Sequence, residues 1–383
     1  MARILLVYYD EYHTPLKLLR EKLSADAAVI VLTISLGSEA GPPLVTTDAA
    51  SAWQILEIDG RERFCEDYLT RAIKANARYE EGYYLSAALS RPVMASICAE
   101  QIEQQQIDTL IHGLAGNDQL RFEMGILTLS PQTKIISVAA MLGSRAAANE
   151  DSFTVSSNLW GRSIEAGSLG NPWEQPDREV FESLGFPANS TAAPETHTMR
   201  FERGRAIALD SVEMNLKTMI ERLNALGKKF AVGCFDLVED GYVGMKTRAV
   251  YESTAAHALI TAHQDLERLI STRLQNLFKP LVDKAWAELV YDGYWFDPQR
   301  TALEAYIESV NRWVTGEVRL LYQPGGLRVA GRQSPHALYD ESQAVYRAGQ
   351  DFAIAGISEL ATFKSAQMKH AAQRECEGRR RAE

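Results

Sequence analysis

The sequence predicts an α/β fold built on a parallel sheet, and three observations carry that prediction. Short apolar runs alternate with helix-period segments through the first 140 residues. The composition is that of an ordinary globular chain, with 383 residues, 46% hydrophobic and 23% charged. No apolar stretch approaches the ~18 residues needed to span a bilayer. At about 150 residues per domain the length corresponds to two or three domains. Breaks in the pattern divide the chain at 1–150, 151–345 and 346–383.

Ile4–Tyr8 is a buried-type apolar run and reads as the first strand. The predicted helix Pro15–Leu23 follows, with Thr14 as its N-cap and Pro15 at the first helical position, where no N–H is needed. Val29–Thr33 and Gln54–Ile58 read as strands, and Cys65–Ala77 and Pro92–Gln105 as helices. Thr109–His112 and Lys134–Val138 complete the predicted sheet. Crossovers between parallel strands are right-handed, and ligands sit beyond the carboxyl ends of the strands. Chemistry is therefore expected in the loops after Tyr8, Thr33 and His112.

The pattern breaks over Ala139–Asp151, and Asn171–Thr198, rich in Pro, Ser and Thr, reads as an exposed loop. Met199–Leu209 reads as a strand pair and Ser211–Leu226 as a helix. Phe230–Glu239 and Tyr242–Met245 are predicted to pair across Asp240-Gly241. A single long helix is predicted from Thr254 to Phe278, its apolar stripe including Leu274 and Leu277. Val318–Tyr322 and Leu327–Val329 flank Pro324-Gly325-Gly326 as a hairpin, and a last helix covers Asp351–Glu377.

Forty basic against fifty acidic side chains give a net charge of −10. That field repels phosphate backbones, so nucleic acid is not expected as a partner, and no membrane partner is expected either. Four widely spaced cysteines form no CxxC pair, and no His/Asp/Glu cluster has metal-ligand spacing. Reduced thiols and the lack of a secretory pattern point to a cytoplasmic protein.

Several blocks, in order along the chain, carry a resemblance to the argininosuccinate synthase family. They are Tyr83–Pro92 (YYLSAALSRP), His112–Glu123 (HGLAGNDQLRFE), Ser157–Glu165 (SNLWGRSIE), Val232–Glu252 (VGCFDLVEDGYVGMKTRAVYE), Ala262–Leu266 (AHQDL) and Glu288–Pro298 (ELVYDGYWFDP). The resemblance implies a nucleotide-binding α/β domain of the adenine nucleotide alpha hydrolase type. An α+β synthetase and multimerisation domain and a C-terminal oligomerisation helix follow, in a homotetramer. It also implies the joining of citrulline to aspartate through ATP-dependent adenylylation.

By motif, the resemblance assigns Tyr83, Asn117, Arg121, Thr154, Ser163, Glu239 and Tyr251 to a citrulline-like substrate. It assigns Asn117 and Asp118 to an aspartate-like one, with Asp118 also in a catalytic role. The residue types suit an amino-acid zwitterion. Arg121 offers a fork for a carboxylate, Glu239 a counter-charge, and the hydroxyls fix a urea-like tail.

The chain departs from the family on the phosphate side. Where the family has S-G-G-L-D-T-S after the first strand, this chain has Tyr9-Asp10-Glu11-Tyr12-His13-Thr14-Pro15. Glycines let backbone N–H groups approach phosphates, whereas Pro15 has no N–H. At an effective dielectric of ~20 and ~5 Å, a carboxylate repels each phosphate charge by roughly 3 kcal/mol. The family's H-G-x-T-G-K-G-N-D-Q is two residues shorter here and lacks its lysine and threonine. These departures argue against ATP and Mg bound in the family mode, and no other cofactor is implied. Glu11 and His13 then become candidates for a new acid/base pair.

Three readings stay open on sequence alone. One is a C–N bond-forming or -breaking enzyme of amino-acid metabolism. Another is an ATP-dependent argininosuccinate synthase, and the last is a catalytically silent binding subunit.

Overall fold

The computed structural model of the chain describes residues 2–8, 16–23, 26–37, 53–142, 153–177, 180–181, 192–242, 244–339, 358–366 and 368–369. Residues 1–338 form one compact unit and 339–383 a second. The loop after the first strand, with Glu11 and His13, lies outside the described residues, as do Thr14 and Pro15.

The first unit begins with five strands: β1 (Arg3–Tyr8), β2 (Ala28–Ser35), β3 (Gln54–Asp59), β4 (Thr109–His112) and β5 (Lys134–Ser137). They form one sheet in the order β3-β2-β1-β4-β5, and every neighbouring pair is parallel. The apolar runs of β1 and β2 are buried on both faces, as a parallel sheet covered by helices requires. The order reverses between β1 and β4, and that switch point opens a crevice at the carboxyl ends of the strands.

The helices of this part are α1 (Leu16–Lys22), α2 (61–74, with a π-helical stretch at Phe64–Leu69), α3 (Ser86–Gln105), α4 (Gly116–Leu129) and α5 (Val138–Leu142). The helix expected from Pro92 starts six residues earlier, at Ser86, so Pro92 lies inside it. The cap is supplied from outside the helix: the Tyr83 hydroxyl accepts the N–H groups of Ala87 and Ala88 at 3.0 and 3.1 Å. A sequence rule that looks for a local Ser or Asp cap misses such an arrangement. Helix α4 was not expected from periodicity.

Two antiparallel sheets follow. One has the order β11-β12-β7-β6 and comprises β6 (Phe153–Asn158), β7 (Gly161–Ala166), β11 (Cys234–Asp240) and β12 (Lys246–Glu252). The other, β10-β9-β8-β13-β14, comprises β8 (Glu195–Glu202), β9 (Arg205–Leu209), β10 (Val212–Glu213), β13 (Gly316–Gln323) and β14 (Gly326–Gln333). Strand β8 takes up the end of the expected loop Asn171–Thr198.

Four helices complete the unit: α6 (Leu216–Phe230), α7 (Thr254–Ile270), α8 (Arg273–Tyr291) and α9 (Pro298–Asn311). The helix expected from Ser211 begins at Leu216, because Asp210 and Ser211 both take positive φ in a turn. Asn215 then caps it by accepting the Thr218 N–H at 2.9 Å.

The hairpin expected across Asp240-Gly241 exists with a wider loop. Asp240 pairs with Lys246, so the second strand is 246–252 rather than 242–245. The single helix expected over Thr254–Phe278 is two helices. Ser271 is extended, and Thr272 with Gln275 forms a reciprocal capping box that starts α8. Leu274 and Leu277 are consequently off the core, 72% and 58% exposed.

In the second unit, 358–366 is helical, and Leu360 and Phe363 on it are exposed. Among the described residues no helix is long and apolar enough to cross a membrane. No group of three or more His, Cys, Asp or Glu side chains among them is placed to hold a metal ion.

Candidate functional site

A cavity of about 220 Å³ lies where α3 and α4 meet the β6-β7-β12-β11 sheet. Its lining contains Tyr83, Asn117, Asp118, Arg121, Thr154, Ser163, Glu239 and Tyr251. The fold thus brings together, from six separate segments, every described residue that the family resemblance assigned to a substrate. Glu11 and His13 are outside the described residues. The cavity also takes in Ser156, Glu165 and Tyr291, which sequence reasoning did not single out.

Strand alternation explains much of this lining. Side chains two apart share a face, so Thr154 and Ser156 of β6 lie on one side with Ser163 and Glu165 of β7. The register sets Thr154 opposite Glu165, Ser156 opposite Ser163, and Ser163 opposite Tyr251. The SNLWGRSIE block carried that signal, since Glu165 is two residues beyond Ser163.

Asn117, Asp118 and Arg121 come from the first turn and a half of α4, directly after β4 at the switch point. Gly116, at φ +58, turns the chain into that helix from an extended Ala115. No side chain caps α4, so its first N–H groups are free to meet a carboxylate or other anion.

The loop between α2 and α3 delivers Tyr83, and four non-glycine residues, Asn76, Glu80, Glu81 and Leu85, take positive φ there. Such strain persists only where surrounding contacts over-determine it. Here Tyr79 donates its hydroxyl to the Asp240 carbonyl at 2.7 Å, and its ring stacks on Tyr291. Tyr83 stacks on Tyr251 with ring centroids 4.4 Å apart. With two N–H groups already pointed at its oxygen, the Tyr83 hydroxyl is left to act as a donor toward the cavity.

Charge in the cavity is arranged in three groups. Asp118 bridges two guanidinium groups, accepting from Arg91 at 2.8 Å and from Arg121 at 3.1 Å. Arg121 also donates Nε to the Tyr291 carbonyl at 2.6 Å, which leaves Nη2 for the cavity rather than a whole fork. Burial opposes the charge on Arg121, but Tyr83, Asp118 and Tyr291 outweigh it and raise its pKa.

Glu239 is buried and accepts the hydroxyls of Tyr251 at 2.8 Å and Tyr291 at 3.1 Å. Burial raises its pKa, opposed by those two hydrogen bonds. Glu165 lines the cavity with its side chain accessible, yet protein crowds it closely. That desolvation, reinforced by the negative charge of Asp118 and Glu239, pushes its carboxyl up to about 7.

The histidines have other duties. His112 is buried and its Nε2 lies 3.0 Å from Glu123, while burial lowers its pKa. His263 is enclosed between Asn76 and Asn311 at 2.7 Å each. Both work inside the fold.

A switch-point parallel sheet that feeds a polar cavity closed by an antiparallel sheet defines a two-part α/β and α+β protein with a HUP-type first part. Residues 4–152 match the Arginosuccinate synthase N-terminal HUP domain, and residues 153–371 match the Arginosuccinate synthase C-terminal domain. The chain belongs to the argininosuccinate synthase family. It is 38% identical over 356 residues to the argininosuccinate synthase of Dehalococcoides mccartyi, covering 88% of this chain and 87% of that one. It is also 38% identical over 362 residues to that of Pyrococcus furiosus, covering 90% and 88%. With that of Pyrobaculum aerophilum it shares 36% over 369 residues, covering 91% and 92%.

Proposed function

We propose that the chain binds a citrulline- or arginine-like α-amino acid in this cavity and forms or breaks a C–N bond between it and an aspartate-like second substrate. The observation that carries this reading is the meeting of Tyr83, Asn117, Arg121, Thr154, Ser163, Glu239 and Tyr251 around one amino-acid-sized space. Arg121 Nη2 and the uncapped start of α4 suit a carboxylate. The hydroxyls of Tyr83, Thr154 and Ser163 suit a urea-like tail. Asn117 and Asp118 are the residues for the aspartate-like partner.

The usual adenylylation is the doubtful step, because residues 9–15 place acids and a proline where phosphate-binding glycines are expected. Glu11 and His13 are proposed as an acid/base pair on sequence grounds alone. The level of identity to the named synthases favours the second reading, an ATP-dependent argininosuccinate synthase.

Turnover decides between them. Incubation with citrulline, aspartate and ATP is expected to give no AMP and argininosuccinate at an ordinary enzymatic rate of roughly 1–10³ per second. Product at such a rate would establish the synthase. Calorimetric binding of citrulline or arginine with no product from any combination would make the chain a binding subunit.

We also propose a homo-oligomer, with a tetramer as the family expectation, in a cytoplasmic setting. On α8, Leu274, Leu277, Phe278 and Leu281 stand at helical spacing on one face and are 51–72% exposed. A second copy of the chain is the natural cover for such a stripe. The proposed division at 1–150, 151–345 and 346–383 keeps the last segment as an oligomerisation helix.

A further inference from the structure

A cluster of buried polar side chains lies at the junction of α2, α7, α8 and α9, and none of it lines the cavity. His263 of α7 is at its centre and is wholly buried. Its Nδ1 lies 2.7 Å from Asn76 Oδ1, and its Nε2 lies 2.7 Å from Asn311 Oδ1. The way each amide points is fixed by its other partners. Asn76 Nδ2 donates to Glu267 Oε1 at 3.0 Å and to Asp283 Oδ2 at 3.1 Å. Asn311 Nδ2 donates to the carbonyls of Lys74 and Ile307 at 3.1 and 3.0 Å. Turning either amide over would set its oxygen against two acceptors. Both His263 nitrogens therefore face oxygens, and a neutral imidazole has only one N–H to offer.

The charges point the same way. Lys279 Nζ lies 2.6 Å from Asp283 and 3.1 Å from Glu267, so one ammonium meets two carboxylates. Burial pushes the Asp283 carboxyl up to about 7, against the pull of Lys279. A proton on Asp283 has no acceptor to meet, since Oδ1 faces Lys279 Nζ and Oδ2 faces Asn76 Nδ2. Lys74, the other cation beside His263, is paired with Glu308 at 2.7 Å. On the sheet side the His263 ring meets that of Phe201 edge-on. Burial, Lys279 and Lys74 press the His263 pKa down, toward about 4, while Glu267 and the Asn311 hydrogen bond pull it up. A neutral ring would leave a lone pair 2.7 Å from an amide oxygen and a buried carboxylate without its counter-charge. Those two costs favour the charged ring.

We propose that His263 is doubly protonated in the folded protein, a buried imidazolium that balances the charge of this cluster and anchors the root of the loop carrying Tyr79 and Tyr83. Asn76, at φ +44, stands at that root, and its amide is the link between the ring and the two carboxylates. Withdrawing the proton turns one ring nitrogen into an acceptor set against an acceptor, which frees the amide that holds the loop. This holds whatever the cavity binds.

The two proton states give opposite slopes of stability with pH. A ring that is charged in the folded chain contributes fully below its unfolded value of about 6.5. Above it, the folding equilibrium constant of the wild type relative to His263→Gln is expected to fall about tenfold per pH unit until the folded chain releases the proton. Urea titrations of both proteins from pH 4 to pH 9 read that ratio. A ratio that climbs between about pH 4 and 6.5 and is flat above would mean a neutral ring and overturn the proposal. Nitrogen-15 NMR of histidine-labelled wild type at pH 7 needs no His263 variant to fold, the signal being assigned by its shift in Phe201→Leu. Both His263 nitrogens are expected to carry a proton, and an unprotonated one would equally overturn it. Hydrogen exchange at the Tyr79 and Tyr83 amides is expected to be about tenfold faster in His263→Gln at pH 7, with the β1 amides unchanged. Equal exchange in the two proteins would sever the tie to the loop.

Discussion

Arg91 Nη2 lies 2.8 Å from Asp118 Oδ2, and Arg91 is wholly buried. The pair ties α3 to the first turn of α4 and so fixes the wall of the cavity that carries Asn117 and Arg121. Breaking a buried ion pair from one side costs about 3–5 kcal/mol, and the loss of Arg91 falls at the low end because Asp118 keeps Arg121 as a partner. Arg91→Met is therefore expected to lower stability by about 3 kcal/mol, read from the denaturant midpoint. The double variant Arg91→Met, Asp118→Leu is expected to cost less than the sum of the two single changes. Additive costs would show that the two side chains are not coupled.

Tyr83 serves the fold and the cavity with one oxygen. Removing it by Tyr83→Phe leaves the Ala87 and Ala88 N–H groups buried without an acceptor. An orphaned buried donor costs about 1–3 kcal/mol. A loss of about 2 kcal/mol in stability is expected together with about tenfold weaker citrulline binding. A change in binding with unaltered stability would mean that the hydroxyl does not cap α3.

His257 gives a pH dependence with a definite sign. Burial, and then the positive charge of Arg78, push its pKa down to about 4 from 6.5. Between those values the unfolded chain binds a proton that the folded chain refuses, so stability is full above pH 6.5 and falls as the pH drops toward 4. From pH 7.5 to pH 5 the contribution lost is about 2 kcal/mol. His257→Gln, which keeps a polar partner for the Tyr84 hydroxyl 2.8 Å away, is expected to be less acid-sensitive by that amount. Urea titrations of both proteins at the two pH values measure the difference, which cancels shared contributions such as that of His263.

The exposed stripe on α8 predicts a change in assembly rather than in folding. Leu277→Glu combined with Leu281→Glu places charge on a face already 58–63% open, so the thermal midpoint of the protomer should hardly move. Sedimentation velocity is expected to show a smaller species than the wild type. An unchanged sedimentation coefficient would place the interface elsewhere, and a wild-type monomer would remove the oligomer altogether.

Much of the first sheet was legible because parallel strands buried on both faces are written as unbroken apolar runs, such as Ile4–Val7 and Val29–Leu32. Boundaries set by a distant partner were not legible. The start of α3 depends on Tyr83, and the pairing of Asp240 with Lys246 fixes where β12 begins. The end of α7 was written locally in Thr272 and Gln275, but a continuing apolar pattern concealed it. Among the cavity residues, motif resemblance singled out Tyr83, Asn117, Asp118, Arg121, Thr154, Ser163, Glu239 and Tyr251 and passed over Ser156, Glu165 and Tyr291, which only the strand register and the packing bring to the same space.

The amino-acid order by itself determined the family, the strand–helix alternation and the residue types able to hold an amino acid, because those features are local or ordered along the chain. Which carboxylates are engaged and which one is open was decided only by the tertiary structure. Asp118, Glu165 and Glu239 come from three different elements, and an acid's state depends on the charges and hydroxyls that folding brings within a few ångströms of it.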